Sequence, residues 1–217
     1  MKVIQSDALL LIPDISGFTK FVNNNDIKHS SHVISELLEA IIDQNTLGLQ
    51  VAGIEGDAIM FYRVGPCPGL DEVISQCKKM FLAFHQHLTN YKLGKFCHCG
   101  ASISDLDLSL KFVVHYGNLA INIIHNYLHV IGPDVILTHR LLKNNINSKE
   151  YILISNSLLD DSLANNFIHD GITFTPGATD YNGHGVLYYN YGRLTVPHTQ
   201  NDSLHNMVDA VGLSAAC

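Results

Sequence analysis

The stretch DALLLIPDISGFT, residues 7–19, decides the fold. Ala8–Pro13 is the longest apolar run in the chain, and a run of that length without polar alternation fits a strand buried on both faces, expected over Asp7–Pro13. Pro13-Asp14 closes the run, which puts Asp14 at the mouth of the strand. Ser16-Gly17-Phe18-Thr19 then opens a short helix, whose first backbone N–H groups lack intrahelical partners and suit an anion.

Outward from that stretch, Ser30 and Ser31 offer caps for a second helix in which Val33, Ile34, Leu37, Leu38, Ile41 and Ile42 recur at helical spacing. Leu47–Ile54 and Ala58–Val64 read as two strands joined by the tight turn Glu55-Gly56-Asp57. Pro66 and Pro68 precede a long helix with Val73, Ile74, Cys77, Met80, Phe81, Phe84 and Leu88 on one face. Leu108–Tyr116 is expected as a strand with Ile121–Ile131 as its partner, and Gly132-Pro133 introduces a helix over about Asp134–Lys143. Tyr151–Ser155 reads as a strand, Ser157–Asn165 as a short helix and Gly185–Tyr191 as a late strand. This succession predicts an α+β fold: a mostly antiparallel sheet with helices packed on one face, related to the ferredoxin-like βαββαβ unit. One domain is expected over residues 1–196, with residues 197–217, small and polar, as a flexible or docking tail.

Composition narrows the function. A formal net charge of −7 with only 13 Lys and Arg leaves no broad footprint for nucleic acid. The longest apolar run falls far short of the roughly 20 residues of a membrane span, and no signal-peptide layout opens the chain, so a cytoplasmic protein is expected. The five cysteines, Cys67, Cys77, Cys97, Cys99 and Cys217, are an odd count in a chain with ample core-forming residues, which argues for reduced thiols. Phe96-Cys97-His98-Cys99-Gly100 with His85 and His87 invites a zinc reading. The usual two-residue cysteine spacing is absent, however, and the two histidines do not face each other on a helix, so buried thiols and exposed imidazoles are the better reading.

Asp14 and Asp57 stand on turns at the ends of neighbouring strands, where two carboxylates can converge on a hard divalent cation such as magnesium. From spacing alone, a helix cap for Asp14 and a turn residue for Asp57 are the favoured readings. The strings shift the balance. Pro13-Asp14-Ile15-Ser16-Gly17-Phe18-Thr19 and Glu55-Gly56-Asp57-Ala58-Ile59-Met60 resemble the two metal-binding motifs of class III nucleotide cyclases. Val114-His115-Tyr116-Gly117 resembles that family's next strand, and Gly132-Pro133-Asp134-Val135-Ile136-Leu137-Thr138-His139-Arg140-Leu141 its transition-state motif, so that the likeness runs from Asp7 to Tyr191.

The resemblance implies a site of Asp14, Ile15 and Asp57 for Mg2+ or Mn2+, with Ser16, Gly17, Phe18 and Thr19 toward the triphosphate. It implies Arg140 as the transition-state arginine and a homodimer in which the two aspartates of one chain face Arg140 of the other. It also exposes departures. Ile136 replaces the ribose-orienting asparagine, Gly53 and His129 replace the base readers, and His184 stands in place of a phosphate-binding lysine. The expected function is therefore a divergent cyclase-like domain that binds a metal–nucleoside triphosphate with cyclisation weak or lost. The alternatives are an active cyclase with non-standard base recognition and a non-catalytic interaction module.

Overall fold

The computed structural model describes residues 3–93, 107–159, 165–181 and 185–196. One sheet runs through it. Its strands are β1 (Ile4–Ser16), β2 (Gln50–Glu55), β3 (Ala58–Val64), β4 (Ser109–Ile124), β5 (Tyr127–Ile131), β6 (Tyr151–Ser155), β7 (Phe167–His169), β8 (Ile172–Tyr181) and β9 (Gly185–Arg193). The order is β2-β3-β1-β4-β6-β9-β8-β7, with β5 folded back on β4. Every pairing is antiparallel except β4 with β6. The order β2-β3-β1-β4, with helices between β1 and β2 and between β3 and β4, is the expected βαββαβ unit.

The strand read from residues 7–19 is longer than expected, because Pro13 does not end it. A proline cannot donate to a ladder, and the β1–β3 pairing indeed lapses at Ile12 and Pro13 before resuming at Asp14 opposite Ala58. The β4 side is unbroken, with Pro13 opposite Phe112 and Asp14 opposite Lys111. Asp14 is thus held by partners on both sides rather than at a free end.

After α1 (Phe18–Asn24), helix α2 spans Ile27–Asp43. Its cap is Asp26, whose Oδ1 accepts from the N–H groups of Lys28 at 2.9 Å and His29 at 3.4 Å. The expected caps Ser30 and Ser31 lie inside the helix, because Asp26 already caps it a turn earlier. Helix α3 (Leu70–Lys92) begins where Glu72 accepts from the Gly69 N–H at 2.9 Å. α2 and α3 bury their apolar stripes against Leu9, Leu11, Ile15, Phe61, Phe112 and Ile154 of the sheet.

Helix α4 (Pro133–Leu141) corrects the one-face expectation, since Val135 packs on Ala8, Leu10, Ile12 and Met60 and Leu141 on Val113 and Leu153, all on the opposite face. Sheet alternation makes this necessary: β1 is apolar toward both sides, and α4 covers the second one. Its cover is partial and leaves an opening beside Asp14.

Two further expectations change. Ile121–Ile131 is not one strand, because β4 continues to Ile124 and turns through His125, at φ 55°, into β5. Of the helix expected at Ser157–Asn165, the described part is a single 3-10 turn over Asn156–Leu158. Cys97, Cys99, His184 and the expected tail lie outside the described residues. Among the described residues no helix is long and apolar enough to cross a membrane.

Candidate functional site

The opening beside Asp14 is a cleft of about 700 Å³ between the sheet and α4. Side chains alternate across a strand, so Asp14 falls on the same face as Ile12, and Lys111 on the same face as Val113. This face is the one that carries α4. Asp57 arrives through the β2–β3 turn, where Gly56 adopts φ 65°, and the Ile15 N–H donates to the Asp57 carbonyl at 3.1 Å. Asp14, Asp57 and Arg140 therefore share one cleft wall within a single chain.

Lys111, which the sequence reading passed over, is the third element. Its Nζ lies 3.0 Å from Asp14 Oδ2, and both side chains are largely buried. The signal was present: a lone lysine in the apolar strand Leu108–Val114 needs a countercharge when buried. Glu55 and Lys143 also border the cleft, and His139 directs Nε2 at Met60 Sδ, 3.3 Å away. Burial, followed by the negative charge of Asp14, holds the Asp57 carboxyl above the ordinary carboxylate range; its own backbone N–H and Lys111 oppose this only in part.

The chemistry of this donor set fits magnesium or manganese arriving with a substrate. Such ions are commonly held by one or two carboxylates plus phosphate oxygens and water rather than by an all-protein cage. Among the described residues no group of three or more His, Cys, Asp or Glu side chains could hold a metal ion, which leaves a two-carboxylate platform. Ile15 has its side chain fully buried, so only its backbone carbonyl is available to a cation.

Ser16, Gly17, Phe18 and Thr19 are not in the cleft wall but adjoin it. A Cβ on Gly56 would lie 3.7 Å from the Phe18 ring, so α1 begins beside the turn that carries Asp57. Gly17 at φ 91° is required there, because a Cβ would also fall 2.5 Å from the Asp107 carbonyl oxygen. Of the remaining expected positions, Ile136 is in the wall, 54% exposed. His129 is engaged with Asn122 Oδ1 at 3.0 Å in the β4–β5 hairpin. Of the residues that invited zinc, the described ones have other partners: His85 bonds Glu150 at 2.7 Å and His87 bonds Glu36 at 3.1 Å.

A second polar cluster fixes α4 over the cleft. His115 on β4 is buried and sits between Ser155 Oγ at 2.7 Å and Asp134 Oδ1 at 3.1 Å. The other Asp134 oxygen accepts from the Asn118 N–H at 2.7 Å. A Cβ on Gly117 would fall inside the Asp134 carboxyl group, so glycine is needed for this close approach. Burial pushes the His115 imidazole below the usual histidine range, although Asp134 pulls it up. The unfolded chain then binds the extra proton between the folded value and about 6.5. Stability from this group is accordingly present above pH 6.5 and lost as pH falls below it. Melting temperatures measured from pH 7.5 to 5 should decline, and the decline should be shallower in His115→Gln; equal slopes would contradict a buried neutral imidazole.

A family model described as a protein of unknown function (DUF2652) matches residues 34–151, more than half of the chain. The uncharacterized protein Rv2561/Rv2562 of Mycobacterium tuberculosis is 32% identical over 146 residues. That match covers 63% of this chain and 66% of the relative, so the chain spans just under two thirds of the relative's length. Among solved structures, the adenylyl cyclase CyaB from P. aeruginosa superposes with a TM-score of 0.69 at 16% identity, covering 91% of this chain and 98% of the other. The guanylyl cyclase Cya2 gives 0.68 at 18% identity, covering 91% and 96%. The guanylate cyclase domain of RhGC from Catenaria anguillulae, solved in complex with GTP, gives 0.60 at 13% identity, covering 90% and 100%. The chain belongs to the DUF2652 family, and its fold is that of class III adenylyl and guanylyl cyclase catalytic domains.

Proposed function

We propose that this chain is a divergent cyclase-like protein of the cytoplasm that binds magnesium or manganese together with a nucleoside triphosphate at the Asp14–Asp57 cleft, as a homodimer, with cyclisation weak or lost. The observation that carries this reading is the meeting of the strand carboxylate Asp14 and the turn carboxylate Asp57 with Lys111, Arg140 and Lys143 around one opening. Asp14 and Asp57, with the Ile15 carbonyl, hold the metal. The start of α1 at Ser16, Gly17, Phe18 and Thr19 faces the phosphates, and Arg140, with His184, balances their charge. When bound, the metal neutralises and orients the phosphate oxygens. The same fold in a guanylate cyclase domain that binds GTP supports the assignment.

Catalysis is the weaker part, because Ile136 gives the cleft no hydrogen bond where a ribose would need one. Dimerisation is supported by the β4–β5 hairpin, which leaves Ile123, Ile124, Tyr127, Leu128 and Ile131 exposed, with Tyr127 at 78%. Apolar clusters of this kind mark contact surfaces. Light scattering at micromolar concentration should therefore give twice the chain mass; a monomer with and without nucleotide would contradict the shared assembly.

Thermal melts test the binding itself. With manganese and ATP near 100 times the dissociation constant, mass action adds about 2.7 kcal/mol, or about 5–10 °C for a chain of this size. A melting temperature no higher than with either component alone would contradict the proposal.

A further inference from the structure

Among the described residues, the cleft wall carries side chains of two kinds. One group is ionic or imidazole: the carboxylates Asp14, Glu55 and Asp57, the cations Lys111, Arg140 and Lys143, and His139. The other is wholly apolar, and includes Ile12, Met60, Val135, Ile136 and Leu142. Among the described residues lining it, none carries an amide or a hydroxyl. A nucleobase edge is told from another by matched donors and acceptors, and a site that hydrogen-bonds one ligand rejects its rivals by leaving buried polar groups unpaired. The apolar part of the wall lacks that lever and discriminates by shape alone, one methylene being worth about 10- to 200-fold at most. The donors of the wall have other calls on them: Lys111 lies on Asp14, His139 lies against a thioether, a weak acceptor, and on the reading above Arg140 balances phosphate charge.

The charges point the same way. Three carboxylates face three permanent cations, so the wall by itself is close to neutral. A divalent ion on Asp14 and Asp57 makes it net positive, and only then is it complementary to a polyphosphate. Selectivity then rests on the metal-bound phosphate chain, while the base lies on an apolar surface that every base can cover.

On this ground, and resting on the metal–triphosphate reading above, we propose that the cleft selects the metal–triphosphate unit and does not discriminate between nucleobases, taking purine and pyrimidine nucleoside triphosphates alike. Isothermal titration of the full chain in manganese tests it with ATP, GTP, CTP, UTP, inorganic triphosphate and adenosine. The expected result is four nucleotide dissociation constants within a factor of about 10, equivalent to about 1.4 kcal/mol, measurable binding of inorganic triphosphate, and none of adenosine. One nucleotide bound more than tenfold tighter than the others overturns base indifference and leaves the metal–triphosphate site standing. Binding of adenosine without metal also overturns it, since the base would then be the recognised group. If no triphosphate binds, inorganic triphosphate included, the site reading itself fails and the inference falls with it.

Discussion

Asp14→Asn and Asp57→Asn should both abolish the stabilisation that manganese with ATP confers, yet shift the melting temperature of the metal-free protein in opposite directions. Each substitution keeps the side-chain shape and removes one anionic ligand from a two-carboxylate platform, so the gain from mass action disappears. Their metal-free effects differ because their neighbours differ. Asp14 pairs with the Lys111 ammonium at 3.0 Å, and the Lys111 side chain is only 19% exposed. Without that ion pair Lys111 is a largely buried cation left with the Asp57 charge alone, which costs about 1–3 kcal/mol and lowers the melting temperature by several degrees at about 2–4 °C per kcal/mol. Asp57 instead has its charge opposed by burial and by Asp14. Neutralising it relieves that repulsion and raises the metal-free melting temperature, as expected where a site holds strain for function. An undiminished manganese–ATP shift in both variants would exclude these residues as the metal site.

Cyclase turnover with manganese-ATP should be very slow or absent. Catalysis on a phosphoryl group is mostly positioning and charge stabilisation, and the loss of one oriented donor typically costs a factor of about 100 to 1000 in rate. Ile136 lies in the cleft wall with no group to offer a ribose, and neither Gly53 nor His129 reaches the cleft as a base reader, His129 being held by Asn122. Such losses do not simply multiply. Ile136→Asn should therefore raise a barely detectable cyclic AMP yield, by up to about 100-fold if ribose orientation is the main deficit. A wild-type turnover on the order of one per second or faster would instead make the chain an ordinary cyclase with non-standard base recognition.

What the sequence disclosed about the fold follows from which signals are local. The apolar run before Asp14, the helical stripes of α2 and α3 and the Gly56 turn are periodic or turn-forming within a few residues, and these features are where they were expected, although β2 begins at Gln50 rather than Leu47. Pro13 misled, because a proline disrupts only the one ladder its nitrogen faces, and β4 holds the strand on the other side. The side of the sheet that α4 covers depends on β1 being apolar toward both faces, which no pattern within α4 reveals. The β7–β8 hairpin was legible and passed over: Asp170-Gly171, at φ 47° and 76°, is the two-residue turn signal between alternating residues.

For the site, the paired aspartates came from motif strings, whereas Lys111 came only from the register that sets it opposite Asp14. Arg140 was expected to meet the aspartates across a dimer, and the single chain already brings it into the same wall. A helix lying over one's own strands is a tertiary fact that no local spacing encodes.

The most direct test of the central claim is a crystal structure of the chain grown with manganese and a non-hydrolysable ATP analogue, with anomalous scattering recorded for the metal. The expected result is a manganese peak bonded to carboxylate oxygens of both Asp14 and Asp57 and to phosphate oxygens of the analogue, with Lys111 drawn from Asp14 toward the phosphates. A metal bonded to the analogue alone, or an analogue seated outside this cleft, would contradict it.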